Sequence, residues 1–158
     1  MASNYKQLNP LSISSNIIWW NRVALFVVFF WFGFLKIIHI SPAEGLVTNL
    51  HQATIASLMP IEHFLVFLGV VECVIGVLWL IPSLTKVAFG VFILQMFTTF
   101  LPLLFLPKDT WQNTLVLTLT GQYIIKNVVL IASALTILRA TSKVETNEVI
   151  VRKSPSLT

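Results

Sequence analysis

Two ionisable residues, Glu72 and Lys126, stand in the middle of long apolar segments. A charged side chain at the centre of a membrane helix costs about 2.5 to 3.5 kcal/mol, so each needs a partner or a purpose. Each follows the start of its apolar segment, Ile61 or Leu115, by eleven residues, which is roughly 16 Å along a helix. We therefore predict that Glu72 and Lys126 contact each other, as a structural ion pair, as part of a proton or ion relay, or as a ligand contact.

Further polar residues are spaced so that they could line the same interior. Thr118, Gln122 and Lys126 follow one another at intervals of four, and Gln95 adds an amide on the preceding apolar segment. Residues four apart share one face of a helix. These residues predict a polar lining, which is either interhelical hydrogen bonding or a narrow path for protons or a small polar ligand.

Small residues surround Glu72 at helical spacing. Gly69, Cys73 and Gly76 lie three before, one after and four after it. Small side chains allow membrane helices to approach closely, so this face of the segment is predicted to pack against a neighbouring helix.

A second group of charged residues lies where the first two apolar segments meet their connection. Lys36 ends the first segment, Glu62 and His63 begin the second, and Glu44 lies between them. Two interpretations stay open: solvated surface charges, in which Lys36 extends toward water, or a polar mouth to the bundle interior.

The composition indicates a membrane protein. Of 158 residues, 56% are hydrophobic and 10% are charged, and the mean hydropathy is +0.87, whereas a soluble domain has about a quarter charged residues. Soluble enzymes and nucleic-acid binders are excluded as classes. Four segments have the roughly 20 apolar residues that a bilayer-spanning helix requires: residues 17–38, 61–81, 84–106 and 115–138. They predict an all-α, integral membrane four-helix bundle in contact with the lipid bilayer.

The Lys and Arg residues predict the orientation. Residues 1–16, the turn at Lys86 and residues 139–158 carry most of the positive charge near the spans, whereas the two opposite connections hold only Lys108. Because positive loops stay in the cytoplasm, both tails are predicted to be cytoplasmic, and Arg22 is predicted to reach the cytoplasmic headgroups. The outer connection 41–60 is either a short interfacial helix or an ordered loop, and residues 139–158 are expected to form a mobile tail.

Motifs of known chemistry are missing from the sequence. It contains no phosphate-binding glycine loop, dinucleotide fingerprint or zinc-protease motif, and its three histidines have no metal-site spacing. We expect no metal, no cofactor and no catalytic activity of its own, and no motif supports a quinone.

Several segments resemble a known family. Arg22 followed by FFWFGFLKI, and GVVECVIG around Glu72, are similar to the DoxX-like superfamily of small four-helix bacterial membrane proteins. PAEGLVTNL and GQYIIKNVVLIASAL resemble its YkgB-like branch, which includes a reactive-chlorine resistance protein, and Glu44, Gly45, Glu72, Gly76 and Lys126 match that pattern. The resemblance spans residues 21–138 and implies a bacterial cytoplasmic-membrane protein associated with oxidative stress.

Three functions follow as hypotheses. The first is a stress-resistance membrane protein whose polar interior binds or passes a small species. The second is an accessory subunit of a quinone-linked redox system that docks a membrane redox partner. The third is a purely structural membrane protein.

Overall fold

The part of the chain that the structure describes contains seven α-helices. The computed structural model describes the backbone of residues 15–153 and the side chains of residues 15–142, so the predicted tails lie partly outside the described residues. The helices are α1 Ser15–Ile37, α2 Glu44–Thr54, α3 Ile61–Trp79, α4 Thr85–Phe100, α5 Pro102–Phe105, α6 Pro107–Thr110 and α7 Leu119–Lys153, with a 3₁₀ turn at Pro82–Leu84 before α4.

Four of these segments are long and apolar enough to cross a bilayer. They are Ser15–Ile37, Ile61–Trp79, Pro82–Phe105 and Leu119–Ser142. The described residues include no strand, and one isolated bridge joins Trp111 to Leu117. The prediction of an all-α, multi-pass membrane bundle is confirmed. The bundle has two ends. We call the end at which α2 packs the α2 end, and the opposite end, from which α1 starts, the terminal end.

The third and fourth spans differ from the prediction in three places. The third span is broken after Phe100 because Pro102, at the start of α5, has no N–H for a continuous helix. The fourth starts at Leu119 rather than at Leu115, since residues 111–118 form a tight turn in which Gln112 N–H donates to the Val116 carbonyl at 2.8 Å. At its other end α7 does not stop at Leu138 but continues as helix to Lys153.

The connection between the first two spans contains a helix. Two hydrogen bonds of Ser41 hold the turn before α2: Glu44 Oε1 accepts the Ser41 N–H, and Ser41 Oγ accepts the Ala43 N–H, both at 3.3 Å. The ring of His51 packs against Phe64, with 5.3 Å between ring centres. Of the two alternatives left open by the sequence, the structure has the helix, and α2 packs beside the first turns of α3.

The closest helix pair is α1 with α3, which run antiparallel. A Cβ added at Gly33 would lie 2.6 Å from the Gly69 carbonyl oxygen, and one at Gly69 would lie 2.7 Å from the Gly33 carbonyl oxygen. Only glycine fits two backbones this close together. Close packing of the small-residue face of α3 is thereby confirmed, and its partner is α1.

This register places the end of α1 deep in the bundle. The Ile37 side chain lies against Gly69, which follows the start of α3 by eight residues, or about 12 Å. The chain turns sharply there because His39 adopts a left-handed conformation, with φ 56°, while Ile40 N–H donates to the Leu35 carbonyl and His39 N–H to the Lys36 carbonyl. These two bonds define a Schellman motif. The residues after this motif, including α2, pack alongside the first turns of α3.

Candidate functional site

A buried ion pair joins the first two spans. Lys36 Nζ donates to Glu72 Oε2 at 2.6 Å, and the two side chains are only 7% and 11% exposed. Lys36 lies in the last turn of α1, where the helix dipole favours a cation. Glu72 lies in the middle of α3. The recessed end of α1 is what brings the ammonium to this depth.

Gln95 on α4 completes the cluster. Its Nε2 donates to Glu72 Oε1 at 3.2 Å, and the residue is buried. Both carboxylate oxygens of Glu72 thus accept a hydrogen bond from a neighbouring helix, as a buried carboxylate requires. The neighbouring hydroxyls of Thr98 and Thr99 donate back to the Gln95 carbonyl and do not extend the cluster. We call Lys36, Glu72 and Gln95 the ion-pair cluster.

An apolar layer closes the bundle on the terminal side of the ion-pair cluster. Phe29 lies seven residues before Lys36 on α1, and its ring packs edge-on against Phe92, with 5.5 Å between centres. Trp79 also packs edge-on against Phe92, with 5.7 Å between centres, and Ile75 is fully buried in the same apolar core. The polar interior is therefore not continuous along the bundle.

The predicted contact between Glu72 and Lys126 is wrong. Lys126 is exposed on the surface of α7, and its Nζ lies 5.0 Å from the centre of the Tyr123 ring. Because α7 starts at Leu119, Lys126 is only about 10 Å from that helix start, against about 16 Å for Glu72 in α3. Its side chain follows Tyr123 toward the helix start, as a lysine near a membrane surface does.

The predicted polar line on α7 does not enter the bundle either. The face of α7 that packs inward carries Gly121, Ile124, Ala134 and Ile137, whereas Gln122 is exposed like Lys126. Thr118 instead caps the helix, since its Oγ1 accepts the Gly121 N–H at 3.2 Å. A threonine directly before an apolar run is a helix-start signal, so this role was readable from the sequence.

The four mouth candidates occupy three separate places. Lys36 belongs to the ion-pair cluster, and Glu44 accepts the Ser41 N–H at the start of α2. Glu62 and His63 are exposed in the first turn of α3, about three turns from Glu72 along that helix. The interpretation as surface charges describes Glu62 and His63, and it is wrong for Lys36.

A second polar cluster, which the sequence did not predict, lies near the terminal end. Arg22 is 3% exposed, so its side chain is buried against neighbouring helices and does not extend along the surface. Its Nη1 donates to the Trp79 carbonyl at 2.9 Å, and its Nη2 donates to Thr85 Oγ1 at 2.6 Å and to Thr141 Oγ1 at 3.2 Å. We call these four residues the Arg22 cluster. The arginine ties α1 to α3, α4 and α7 at one point.

Comparisons with protein families, with curated proteins and with solved structures find no match to this chain.

Proposed function

We propose that this chain is a bacterial cytoplasmic-membrane protein that binds a small polar species at the ion-pair cluster and thereby takes part in resistance to reactive oxidants. The observation that carries the proposal is the Lys36–Glu72 pair with Gln95, buried inside the bundle beside the middle of α3. Ionisable groups at this depth are costly, and replacing a buried ion pair with apolar residues is often neutral or stabilising. Packing alone is therefore a weak reason for a bundle to contain them.

The cluster offers a ligand both kinds of hydrogen-bonding group. The Lys36 ammonium has three N–H donors, of which one goes to Glu72, and the Gln95 amide has both donors and an acceptor. A small species with an acceptor oxygen and a donor hydrogen, of the size of water or of a hypohalous acid, matches this set. The ligand class is thus small, polar and uncharged.

The apolar layer favours binding over passage. A polar species that entered from the α2 end would reach the ion-pair cluster and then meet Phe29, Phe92 and Trp79, which offer it no open polar route onward. Of the two actions predicted for the interior, we therefore propose binding. The resemblance to the DoxX-like superfamily supports the association with oxidative stress.

A second candidate is a purely structural ion pair. It is favoured because each Glu72 oxygen already accepts a bond from a protein donor. Survival of a strain that lacks the native protein separates the two. It is complemented with the wild type, Glu72→Gln or Gln95→Met at equal protein level and challenged with hypochlorous acid. We expect both variants to lose protection.

The matched control is Glu62→Gln, the same chemical change at an exposed position of the same helix. It should protect as the wild type does. Gln95→Met leaves the Lys36–Glu72 pair intact, so its loss of protection would not be explained by a stranded charge. Full protection by both cluster variants would contradict the proposed binding function and leave the structural role.

A further inference from the structure

The Arg22 cluster carries a positive charge that its protein contacts do not balance. Arg22 donates three hydrogen bonds, to one carbonyl and two hydroxyls, all of which are neutral. Among the residues whose side chains are described, no carboxylate lies within 4.0 Å of the Arg22 guanidinium, because the ion pair found at that distance is Lys36–Glu72. An arginine keeps its charge in proteins. The guanidinium therefore lies in the membrane-spanning bundle as a cation with neutral partners.

The helix ends around the guanidinium do not supply the missing negative charge. Trp79 is the last residue of α3, and its carbonyl is at the negative end of that helix dipole. Thr85 is the first residue of α4, where the dipole is positive. The two partial charges act on Arg22 in opposite directions. The exposed Arg139 adds further positive charge at the same end of the bundle.

Trp79, which bonds Arg22 through its carbonyl, also has a polar side-chain atom without a partner. The indole Nε1 of Trp79 is buried and has no hydrogen-bond partner among the residues whose side chains are described, and Trp79 as a whole is 0% exposed. Buried donors of this kind are rare and call for an explanation, such as an acceptor that is not part of the chain. The same residue holds Arg22 through its carbonyl. Trp79 is thus a direct contact of Arg22 with an unused side-chain donor, which makes its indole N–H a reporter for the cluster.

The depth of the cluster suits a phosphate group. Because α3 ends at Trp79 and α4 begins at Thr85, the guanidinium lies level with the ends of two spans, beside an exposed turn at residues 81–84. Lipid headgroups lie at the ends of membrane spans. The guanidinium has five N–H donors, three of which are used, so one donor on Nε and one on Nη1 remain, and either can bond a phosphate oxygen.

We infer that the Arg22 cluster is a binding site for a phosphate group at the terminal end of the bundle, either that of a lipid headgroup or free phosphate. The phosphate accepts a hydrogen bond from one of the remaining guanidinium donors and balances the buried charge. This site is separated from the ion-pair cluster by the apolar layer and does not depend on the proposed function.

The test follows the indole N–H resonance of Trp79 in the full-length protein, labelled with ¹⁵N-tryptophan in uncharged maltoside micelles and assigned with Trp79→Phe. Three probes are titrated: phosphatidylglycerol, inorganic phosphate, and diacylglycerol with the same acyl chains. We expect a saturable shift with phosphatidylglycerol, with inorganic phosphate, or with both, and none with diacylglycerol. A shift with phosphatidylglycerol alone assigns the site to a lipid, and a shift with both assigns it to phosphate from either source.

Two variants test whether Arg22 is the group that binds. Arg22→Gln should raise the probe concentration that gives half of the maximal shift by about tenfold or more, because a charge-assisted bond is lost. Arg139→Gln removes an exposed arginine from the same end and should leave the midpoint within about twofold. The inference is overturned if neither phosphate probe shifts the wild-type resonance, if diacylglycerol shifts it equally, or if Arg22→Gln binds as the wild type does. The wild-type titration decides the first two outcomes even if Arg22→Gln fails to fold.

Discussion

Lys36 and Glu72 meet at 2.6 Å because Gly33 and Gly69 let their two helices touch. Gly33 lies one turn before Lys36 on α1, and Gly69 lies one turn before Glu72 on α3. In an antiparallel pair, contact of the two glycines places both charged side chains on the same side of the helix contact. The ion pair and the glycine contact therefore depend on the same packing of α1 against α3. A substitution that disturbs one is expected to disturb the other.

We expect the ion pair to show strong coupling in a double-mutant cycle. Removing one partner of a buried pair leaves a stranded charge and can cost about 3 to 5 kcal/mol, so Lys36→Met and Glu72→Gln should each lower the free energy of unfolding by that order. The double variant should lose clearly less than the sum. The measurement is reversible unfolding in mixed micelles, and additive losses would show that the two groups do not interact.

Lys126→Met is the matched control for Lys36→Met. Lys126 is exposed and lies over the Tyr123 ring, a contact worth about 0.5 to 1 kcal/mol at an exposed site. We expect Lys126→Met to change the free energy of unfolding by no more than about 1 kcal/mol in either direction. A loss as large as that of Lys36→Met would mean that the exposed position assigned to Lys126 is wrong.

The glycine contact predicts a large difference between two identical substitutions. Gly33→Ala would place a Cβ 2.6 Å from the Gly69 carbonyl oxygen, so α1 and α3 must separate at a cost of about 1 to 3 kcal/mol. Gly90→Ala, in the middle of α4, meets no atom within 4 Å, and an alanine there should stabilise the helix by roughly 0.5 to 1 kcal/mol. Thermal unfolding of both variants checks the prediction. Equal effects would contradict the close contact.

The four spans, and the position of Glu72 inside one of them, could be predicted from the sequence because both depend on local composition. A carboxylate in an apolar run is visible without any knowledge of its neighbours, and so is a four-span pattern. The partner of Glu72 was not visible. Its identity depends on the recessed end of α1, which the Gly33–Gly69 register sets, and on the start of α7, which the turn at residues 111–118 shifts by one helical turn.

Arg22 shows the same limit from the other direction. Near the end of a predicted span, a long cationic side chain is expected to extend toward the headgroups. The structure turns it inward because the carbonyl at the end of α3 and the hydroxyls of Thr85 and Thr141 converge on it from three helices. Acceptors that come from three distant parts of the chain leave no pattern in the local sequence around position 22.

The turn after α1 predicts an unusual order of side-chain preferences at His39. Its φ of 56° is in the left-handed region, where a β-branched residue is strained by about 1 to 2 kcal/mol and glycine is not. We expect His39→Val to lower the free energy of unfolding by this amount and His39→Gly to leave it within about 0.5 kcal/mol. His63→Val, at an exposed helical position, is the control. The prediction fails if the glycine variant is the less stable of the two.

The charge imbalance predicts which end of the bundle faces the cytoplasm. Four of the ten Lys and Arg residues lie in residues 139–158, so the terminal end should be cytoplasmic and the α2 end external. His51 is buried against Phe64 and is a poor reporter, whereas its neighbour Gln52 is exposed, as is Arg139. In a Cys73→Ala background, Gln52→Cys should react with a membrane-impermeant maleimide on intact cells, and Arg139→Cys should react only after permeabilisation. The reverse pattern would invert the orientation, and labelling of both sites on intact cells would contradict the four-span arrangement, because four crossings place these two positions on opposite sides.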